Sequence, residues 1–221
     1  MYEQLSSALT EKIEILTLVL DDETRNLAWA PSRTCWASVM VDTYRNLFSA
    51  IGVGTRGATV IIRPHLRLTL HQAIRWRGEF LHLTSILLNR EQDQQEVKAA
   101  ICQSVTLTAK PQARTGRDAL NRPTKAEQAS FTFPGILAEI YYRNDPDEIF
   151  RSTMQRRALV TPKAVVLRAG DLVQLNGGTP YTVRQVLDLE SYKNEYVIER
   201  QEDVEKLIVD AALWSTPTRR H

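Results

Sequence analysis

Short segments in which apolar and polar residues alternate, or in which β-branched residues cluster, recur along the whole chain and constrain its fold more than any other feature. Alternation with a period of two is the pattern of a strand that buries one face. The segments are, in chain order, Ile13–Leu20, Trp36–Val41, Thr59–Ile62, Leu66–Ile74, Phe80–Leu88, Phe131–Tyr142, Ala164–Leu167, Leu172–Leu175, Tyr181–Leu187 and Tyr196–Glu199. Turn sequences such as Asn176-Gly177 separate them. The pattern predicts a mainly β protein.

The two halves of the chain contain matching blocks at a nearly constant spacing. The offsets lie between 162 − 64 = 98 and 138 − 37 = 101 residues. The matched positions are Ala37 and Ala138, Pro64 and Pro162, Gly78 and Gly177, and Leu83 and Val183. Two unrelated β domains would share some of this pattern of strands and turns, but a nearly constant offset favours two tandem copies of one small β-barrel.

The repeat predicts the domain boundaries. The first β-barrel domain is expected at 1–102 and the second at 133–206. The stretch 103–132 is expected to link the two domains and to supply the first strand of the second copy, and 207–221 forms a C-terminal tail.

Short helices are expected only at loops and termini. Leu5–Ile15 and Val204–Leu213 have partly helical apolar spacing, although the second segment fits a strand equally well. Asn144-Asp145-Pro146 has the composition of a capped helix start, with the helix continuing to about Arg156.

Composition argues against export and membrane insertion. The chain has 221 residues and 43% hydrophobic content, enough for real cores. It has no apolar run of about 18 residues and no secretory signal at its N-terminus. Cys35 and Cys102 lie far apart without a second pair, so two free cytosolic thiols are expected.

Positive charge is concentrated in the middle of the chain. Residues 103–132 carry 5 basic and 2 acidic side chains, whereas residues 1–102 carry 11 of each. The basic residues of this stretch include Arg114, Arg117 and Arg122. They are too few for a nucleic-acid arm, so a solvated loop is one interpretation, and a surface near phosphates or at a subunit boundary is the other.

No motif in the sequence indicates catalysis. Gly52–Gly57 matches the spacing G-x-G-x-x-G, but the residues that follow it predict a strand where a dinucleotide site needs a helix. His65, His71 and His82 have no further ligands at metal-binding spacing. We therefore expect no enzyme activity, no cofactor and no metal.

Tryptophans on a basic sheet can stack on bases of single-stranded nucleic acid. Trp76 lies between Arg75 and Arg77 and alternates with Ile74. This alternation predicts that Trp76 faces a core while both arginines face outward.

Ordered blocks in both halves resemble one known family. In the first half the blocks are Lys12–Ile15, Thr34–Val39, Val60–Arg63 and Ile74–Ile86, and in the second half they are Gly170–Val173, Gly177-Gly178, Tyr181–Val183 and Val186. In this order they resemble the head-tail joining proteins of tailed bacteriophages, also called head-closure, head-completion or stopper proteins. The resemblance covers about residues 12 to 200. Members of this family usually have one such domain, whereas this chain has two copies of the pattern.

The resemblance implies a structural virion protein without enzyme activity. Its copies would form a ring beneath the portal, in the neck of a virion assembled in the host cytoplasm. The implied partners are further copies of the chain, the portal or an adaptor, the tail terminator or tail tube, and the packaged DNA. Six chains with two barrels each would present 6 × 2 = 12 modules, which favours six chains over twelve.

Two long connections are the expected docking elements. Asp42–Gly57 and Arg143–Arg156 exceed the usual length of hairpin loops. Their candidate interaction residues are Leu47, Phe48, Arg56, Ile149 and Phe150. The four apolar residues among them either meet a partner or fold back on their own barrel. Another tail or baseplate component, or a nucleic-acid-binding β-barrel, is the alternative function.

Overall fold

The computed structural model describes residues 9–47, 54–64, 67–89, 94–112, 114–117, 123–126, 129–140 and 154–201. Their strands form two closed barrels of six strands each and one separate two-stranded hairpin. The predicted mainly β fold with two tandem barrels is confirmed. Among the described residues, no helix is long and apolar enough to cross a membrane.

The first barrel is a closed antiparallel sheet with the order β1-β2-β3-β6-β5-β4. Closure comes from the pairing of β1 with β4, in which Ile13 lies opposite Trp76 and Ile15 opposite Ile74. Its strands are β1 (Glu11–Leu20), β2 (Leu27–Leu47), β3 (Gly54–Ile62), β4 (Ala73–Trp76), β5 (Glu79–Leu88) and β6 (Gln95–Cys102).

The second barrel repeats this order with β7 in the place of β1, which gives β7-β10-β11-β14-β13-β12 around the barrel. The strand β7 (Val105–Lys110) therefore lies within the basic stretch 103–132. The other strands are β10 (Phe131–Glu139), β11 (Met154–Pro162), β12 (Leu172–Leu175), β13 (Tyr181–Leu187) and β14 (Lys193–Gln201). The separate hairpin is made of β8 (Arg114–Arg117) and β9 (Pro123–Ala126).

Hydrogen-bond register is also the same in the two barrels. Leu107 pairs with Leu175 as Ile13 pairs with Trp76. The register of β5 shifts between Leu83 and Ser85, and that of β13 shifts at the corresponding place. Both hairpins that follow β4 and β12 turn through two residues with positive φ, Arg77-Gly78 and Asn176-Gly177. Two copies of one strand plan thus agree down to single residues.

This register corrects two of the sequence matches. Ala37 faces the first core and corresponds to Gly135, because Cys35 and Phe133 hold the same place opposite β1 and β7. Ala138 is shifted from that position and points outward. Likewise, Ile62 corresponds to Thr161, so the match of Pro64 with Pro162 is wrong by one residue. An error of one residue exchanges the inner and outer faces of a strand.

Each barrel encloses its own apolar core. Every second residue of a strand points inward, so one row per strand builds the core. In the first barrel this core includes Ile13, Ile15, Val60, Ile74, Leu81, Leu83 and Val97. In the second it includes Leu107, Phe133, Leu159, Val173, Val183, Tyr196 and Ile198.

Two predicted strands are wrong in the same way. Among the described residues 67–74 only Ala73 and Ile74 belong to a strand, and Ala164–Leu167 is irregular. Both segments connect strands on opposite sides of a barrel and must cross its end. They bury apolar residues there, Leu68 in the first core and Val165 and Leu167 in the second. Their apolar pattern therefore reflects capping of the barrel.

The predicted helices are also corrected where the structure describes them. Residues 11–15 belong to β1, and residues 154–156 belong to β11. The rest of Leu5–Ile15 up to Ala8, the residues 141–153 and Val204–Leu213 lie outside the described residues. Pairing with neighbouring strands outweighs a weak helical spacing in these short segments.

We predict that Tyr196→Phe destabilises the second barrel. The buried Tyr196 hydroxyl donates to the carbonyl of Val165 at 2.9 Å and accepts from the amide of Leu167 at 3.1 Å. Its removal leaves that amide without its partner, which costs about 1–3 kcal/mol of unfolding free energy. Urea denaturation measures the change. The control Thr106→Val removes an exposed hydroxyl and is expected to change stability by less than about 0.5 kcal/mol. Equal stability of Tyr196→Phe and the parent protein contradicts the prediction.

Candidate assembly interface

A buried row on the outside of the first barrel marks its contact with the second. Ala73 pairs with His82, and His82 pairs with Ala100. These residues alternate with core residues, so they point outward, yet they are only 0%, 7% and 2% exposed. Two of the three are alanines, which allows the second barrel to approach closely.

His82 is the polar centre of this contact. Its ring stacks on Tyr192 of the second barrel, with ring centroids 6.1 Å apart. Burial lowers the pKa of His82 to about 4, and the charge of Lys193 acts in the same direction, whereas Glu195 opposes it. The imidazole is therefore neutral near pH 7, as a buried histidine beside a cation should be.

The facing surface of the second barrel contains a buried ion pair. Lys193 and Glu195 lie 2.7 Å apart on the outward side of β14, with side chains 4% and 3% exposed. Around them the outward residues Ile136, Ala158 and Val160 are also buried. Breaking such a pair by removing one partner typically costs about 3–5 kcal/mol. This surface is therefore built to stay covered.

The turn between β1 and β2 closes one side of the contact. Leu27 belongs to the core cluster of the second barrel, and Leu18 packs against the same cluster. The amide of Thr132 donates to the side chain of Asn26 at 2.7 Å. The rings of Trp29 and Phe80 pack in a tilted arrangement with centroids 5.8 Å apart, and they line a shared groove with Pro134 and Ile136. The first barrel thus contributes to the core of the second.

The two barrels meet through different faces. The first contributes β4, β5 and the end of β6, together with its β1–β2 turn. The second contributes β10, β11 and β14, which correspond to β2, β3 and β6 of the first. A contact between like modules through unlike faces is heterologous, so each barrel also has the counterpart of the face that its partner uses in this contact.

The described ends of the predicted docking loop Asp42–Gly57 form a two-stranded arm. Arg45–Leu47 pair with Gly54–Arg56, while β3 meets β6 only from Gly57 onward. Leu47 is the last residue of β2, and Arg56 is exposed on β3 opposite Arg45. Phe48 lies outside the described residues. The arm therefore extends beyond the body of the barrel.

The second predicted loop occupies the corresponding connection, between β10 and β11. Ile149 and Phe150 lie in it, outside the described residues. Both candidate docking elements thus join equivalent pairs of strands, β2 with β3 and β10 with β11.

The basic stretch forms the β8–β9 hairpin. Arg114 pairs with Ala126, and Arg117 pairs with Pro123. Arg122 lies outside the described residues. The hairpin belongs to the connection between β7 and β10, which corresponds to the β1–β2 turn of the first barrel. The hairpin is therefore the counterpart, in chain order, of a turn that contacts the neighbouring barrel.

Other chemistry-bearing residues have structural surroundings. Among the described residues, no three histidine, cysteine or carboxylate side chains are placed to hold a metal. Gly54 and Gly57 lie in strand β3, so the glycine spacing there precedes no helix. Cys35 and Cys102 are unpaired thiols, and burial raises the pKa of Cys102 to about 12.

The tryptophans divide into two groups. Trp76 packs against the first core while Arg75 and Arg77 are exposed, as predicted. The Trp76 indole donates to Glu11, and this bond and a stronger one from Arg77 hold the pKa of Glu11 below its ordinary value. Trp36, in contrast, is 60% exposed on the outer face of β2.

Sequence reasoning missed the residues of the barrel contact. His82 was assigned no role, and Tyr192, Lys193 and Glu195 fell outside the predicted strand Tyr196–Glu199. The available signal was the charged pair Lys193 and Glu195 next to an apolar strand. Charged residues are common on a solvated strand face, so this pair becomes informative only once the face is known to be covered.

Comparison with known proteins adds no relative. No protein-family model matches the chain, and no curated protein matches it. Among solved structures, the Bacillus subtilis inhibitor of motility (MotI/DgrA) aligns at 8% identity over 94% of this chain and 98% of that chain. The TM-score of this alignment is 0.14, which is too low to indicate a shared fold.

We predict that the contact between barrels weakens in acid. Because the pKa of His82 is lowered from 6.5 to about 4, the unfolded chain binds a proton at a higher pH than the folded chain. Stability from this group is complete above pH 6.5 and is lost as the pH falls toward 4. The expected loss is about 3 kcal/mol.

The measurement is urea unfolding of the parent protein and His82→Phe across this pH range. The parent should lose stability more steeply than the variant, because phenylalanine keeps a ring against Tyr192 but does not titrate. Parallel pH profiles would show that His82 does not control the contact.

Proposed function

We propose that this chain is a structural protein of the head-tail connector of a tailed phage. Its copies form a ring that extends the DNA channel beneath the portal and joins capsid to tail. The observation that carries the proposal is the heterologous contact between two barrels of one fold. Contacts of this kind close into rings when each repeats with the same rotation. The resemblance of both halves to head-tail joining proteins identifies the kind of ring.

Two elements fit the attachment role, namely the arm formed by β2 and β3 and the corresponding connection between β10 and β11. A closed barrel has no free strand edge, so partners must be bound by outward faces or by projecting hairpins. Arg45–Leu47 and Gly54–Arg56 form such a projection. The corresponding connection between β10 and β11 contains Ile149 and Phe150. We assign both elements to contacts with the portal or adaptor and with the tail terminator or tail tube.

The basic hairpin fits a position at a chain boundary that faces the DNA. Arg114, Arg117 and Lys125 bring three cations to eight strand residues of β8 and β9. A duplex in the channel presents phosphates to every subunit, and clustered cations bind them by releasing counterions.

The fused pair favours six chains in the ring. Six chains supply 6 × 2 = 12 barrels, in which contacts within and between chains alternate. Twelve barrels then face a twelvefold portal while six chains face a sixfold tail.

Imaging of the virion neck tests the proposal. We expect the protein as a ring between portal and tail in particles, and particles lacking it should lose DNA or fail to join tails. Particles that complete assembly without the protein, or a neck without its density, contradict the proposal. A ring of twelve chains with barrels stacked along the axis overturns the six-chain arrangement alone.

We predict that replacing Arg114, Arg117 and Arg122 with Gln weakens DNA binding in a salt-dependent manner. The slope of log K against log salt is negative, and each lost phosphate contact makes it less steep by about 0.9. Fluorescence anisotropy with a DNA duplex, over about 50–200 mM salt, measures this slope. The matched control replaces the exposed Arg63, Arg67 and Arg168, which lie outside the hairpin. Equal slopes for both triple variants contradict a DNA-facing hairpin.

A further inference from the structure

The first barrel carries on β2 a copy of the strand face through which the second barrel makes the contact. On β10 of the second barrel, Pro134 and Ile136 line the groove between the barrels. Trp36 holds the place of Pro134, because it pairs with Lys12 of β1 as Pro134 pairs with Thr106 of β7. By the same register Ser38 corresponds to Ile136. We call Trp36, Ser38 and Met40 the β2 stripe.

The β2 stripe has the chemistry of an interface. Trp36 is 60% exposed and Met40 is 46% exposed. They lie four residues apart in β2, so both side chains point outward from the same face. Exposed tryptophan and methionine are enriched where proteins bind one another. In the second copy, the equivalent strand is covered, and Pro134 and Ile136 are buried. The position that Trp36 and Pro134 share is therefore exposed in the first barrel and covered in the second.

The second barrel carries the counterpart of the face that the first barrel uses. In the first barrel the contacting row is Ala73, His82 and Ala100, extended by Gly57 opposite Ala100. The corresponding row of the second barrel is Leu172, Thr182, Glu199 and Arg156. We call it the β13 row.

The β13 row presents a cationic cluster. Glu199 is 8% exposed and accepts from Arg156 at 3.4 Å and from Arg184 at 2.6 Å. The two arginine side chains are 38% and 56% exposed, so two cations surround one carboxylate at the surface. Guanidinium groups bind the face of a tryptophan by cation–π attraction. The cluster is thus complementary to the exposed indole of Trp36.

We infer that the β2 stripe of one chain binds the β13 row of a second copy, with Trp36 packed on the Arg156–Glu199–Arg184 cluster. This inference rests on the proposed function and specifies the contact between chains in the ring. It repeats the placement within the chain, where His82 lines one groove with Ile136 and Val160. The contact between chains is more polar than the contact within a chain, so it forms and dissociates while each pair of barrels stays together.

The first test measures self-association of the full chain by sedimentation velocity. Trp36→Ala and Arg184→Ala are each expected to weaken association at least about tenfold, since central aromatic and arginine residues dominate interfaces. The double variant should lose little more than either single one, because each removes the same contact. The control Leu87→Ala removes a side chain that is 56% exposed on the outer face of β5, and it should associate as the parent does.

A second test traps the contact directly. The variant with Ser38→Cys and Thr182→Cys should form a ladder of disulfide-linked chains on oxidation, because Ile136 and His82, their counterparts, line one groove. Each single cysteine variant should give no ladder beyond that of the parent with Cys35 and Cys102.

The outcomes separate the two proposals. If the parent assembles and Trp36→Ala assembles equally well, or if no ladder forms, the interface is wrong while the connector function stands. If the parent stays monomeric at every concentration, alone and with portal-containing heads, both are overturned.

Discussion

Closure of two hydrogen-bonded ladders is the constraint on which the rest of the structure depends. Each barrel returns to its first strand, through Ile13 opposite Trp76 and through Leu107 opposite Leu175, so neither has a free edge for pairing with another chain. Interaction is left to outward side chains and to hairpins that extend past the barrel. The covered row at His82, the arm beyond Gly57 and the basic hairpin are all consequences of this closure.

Sequence patterns predicted the inward rows well and the connections poorly. Alternation identified Ile13–Leu20, Phe80–Leu88 and Tyr181–Leu187 almost as the structure has them, because one buried face imposes a period of two. Leu68 and Val165 were assigned to strands because an apolar residue that caps a barrel end looks the same in sequence as one inside it. The repeat was also detectable, and its register was right at Gly78 and Leu83 but wrong at Ala37 and Pro64. Similar strand patterns match at neighbouring offsets, and only the pairing fixes which face is buried.

The candidate contact surfaces could likewise be predicted only in part from the sequence. A cluster such as Arg114 and Arg117 is visible from composition alone, whereas Trp36 is only one tryptophan in a strand until its face is known. Lys193 and Glu195 look like ordinary surface charges in the sequence. Their burial depends on the neighbouring barrel, which is about a hundred residues away in sequence, and no local pattern carries that information.

The burial of Leu27 in the core of the second barrel has a consequence for the order in which the two domains are made and fold. During translation the N-terminal barrel leaves the ribosome first, and its turn from Asp21 to Asn26 is complete before β10 is synthesised. The nascent second barrel thus meets a folded surface that already offers Leu27 as part of its interior and Asn26 as an acceptor for Thr132. Domains generally fold as units, N-terminal first during synthesis, so this surface of the first domain is available as a template while the second domain folds.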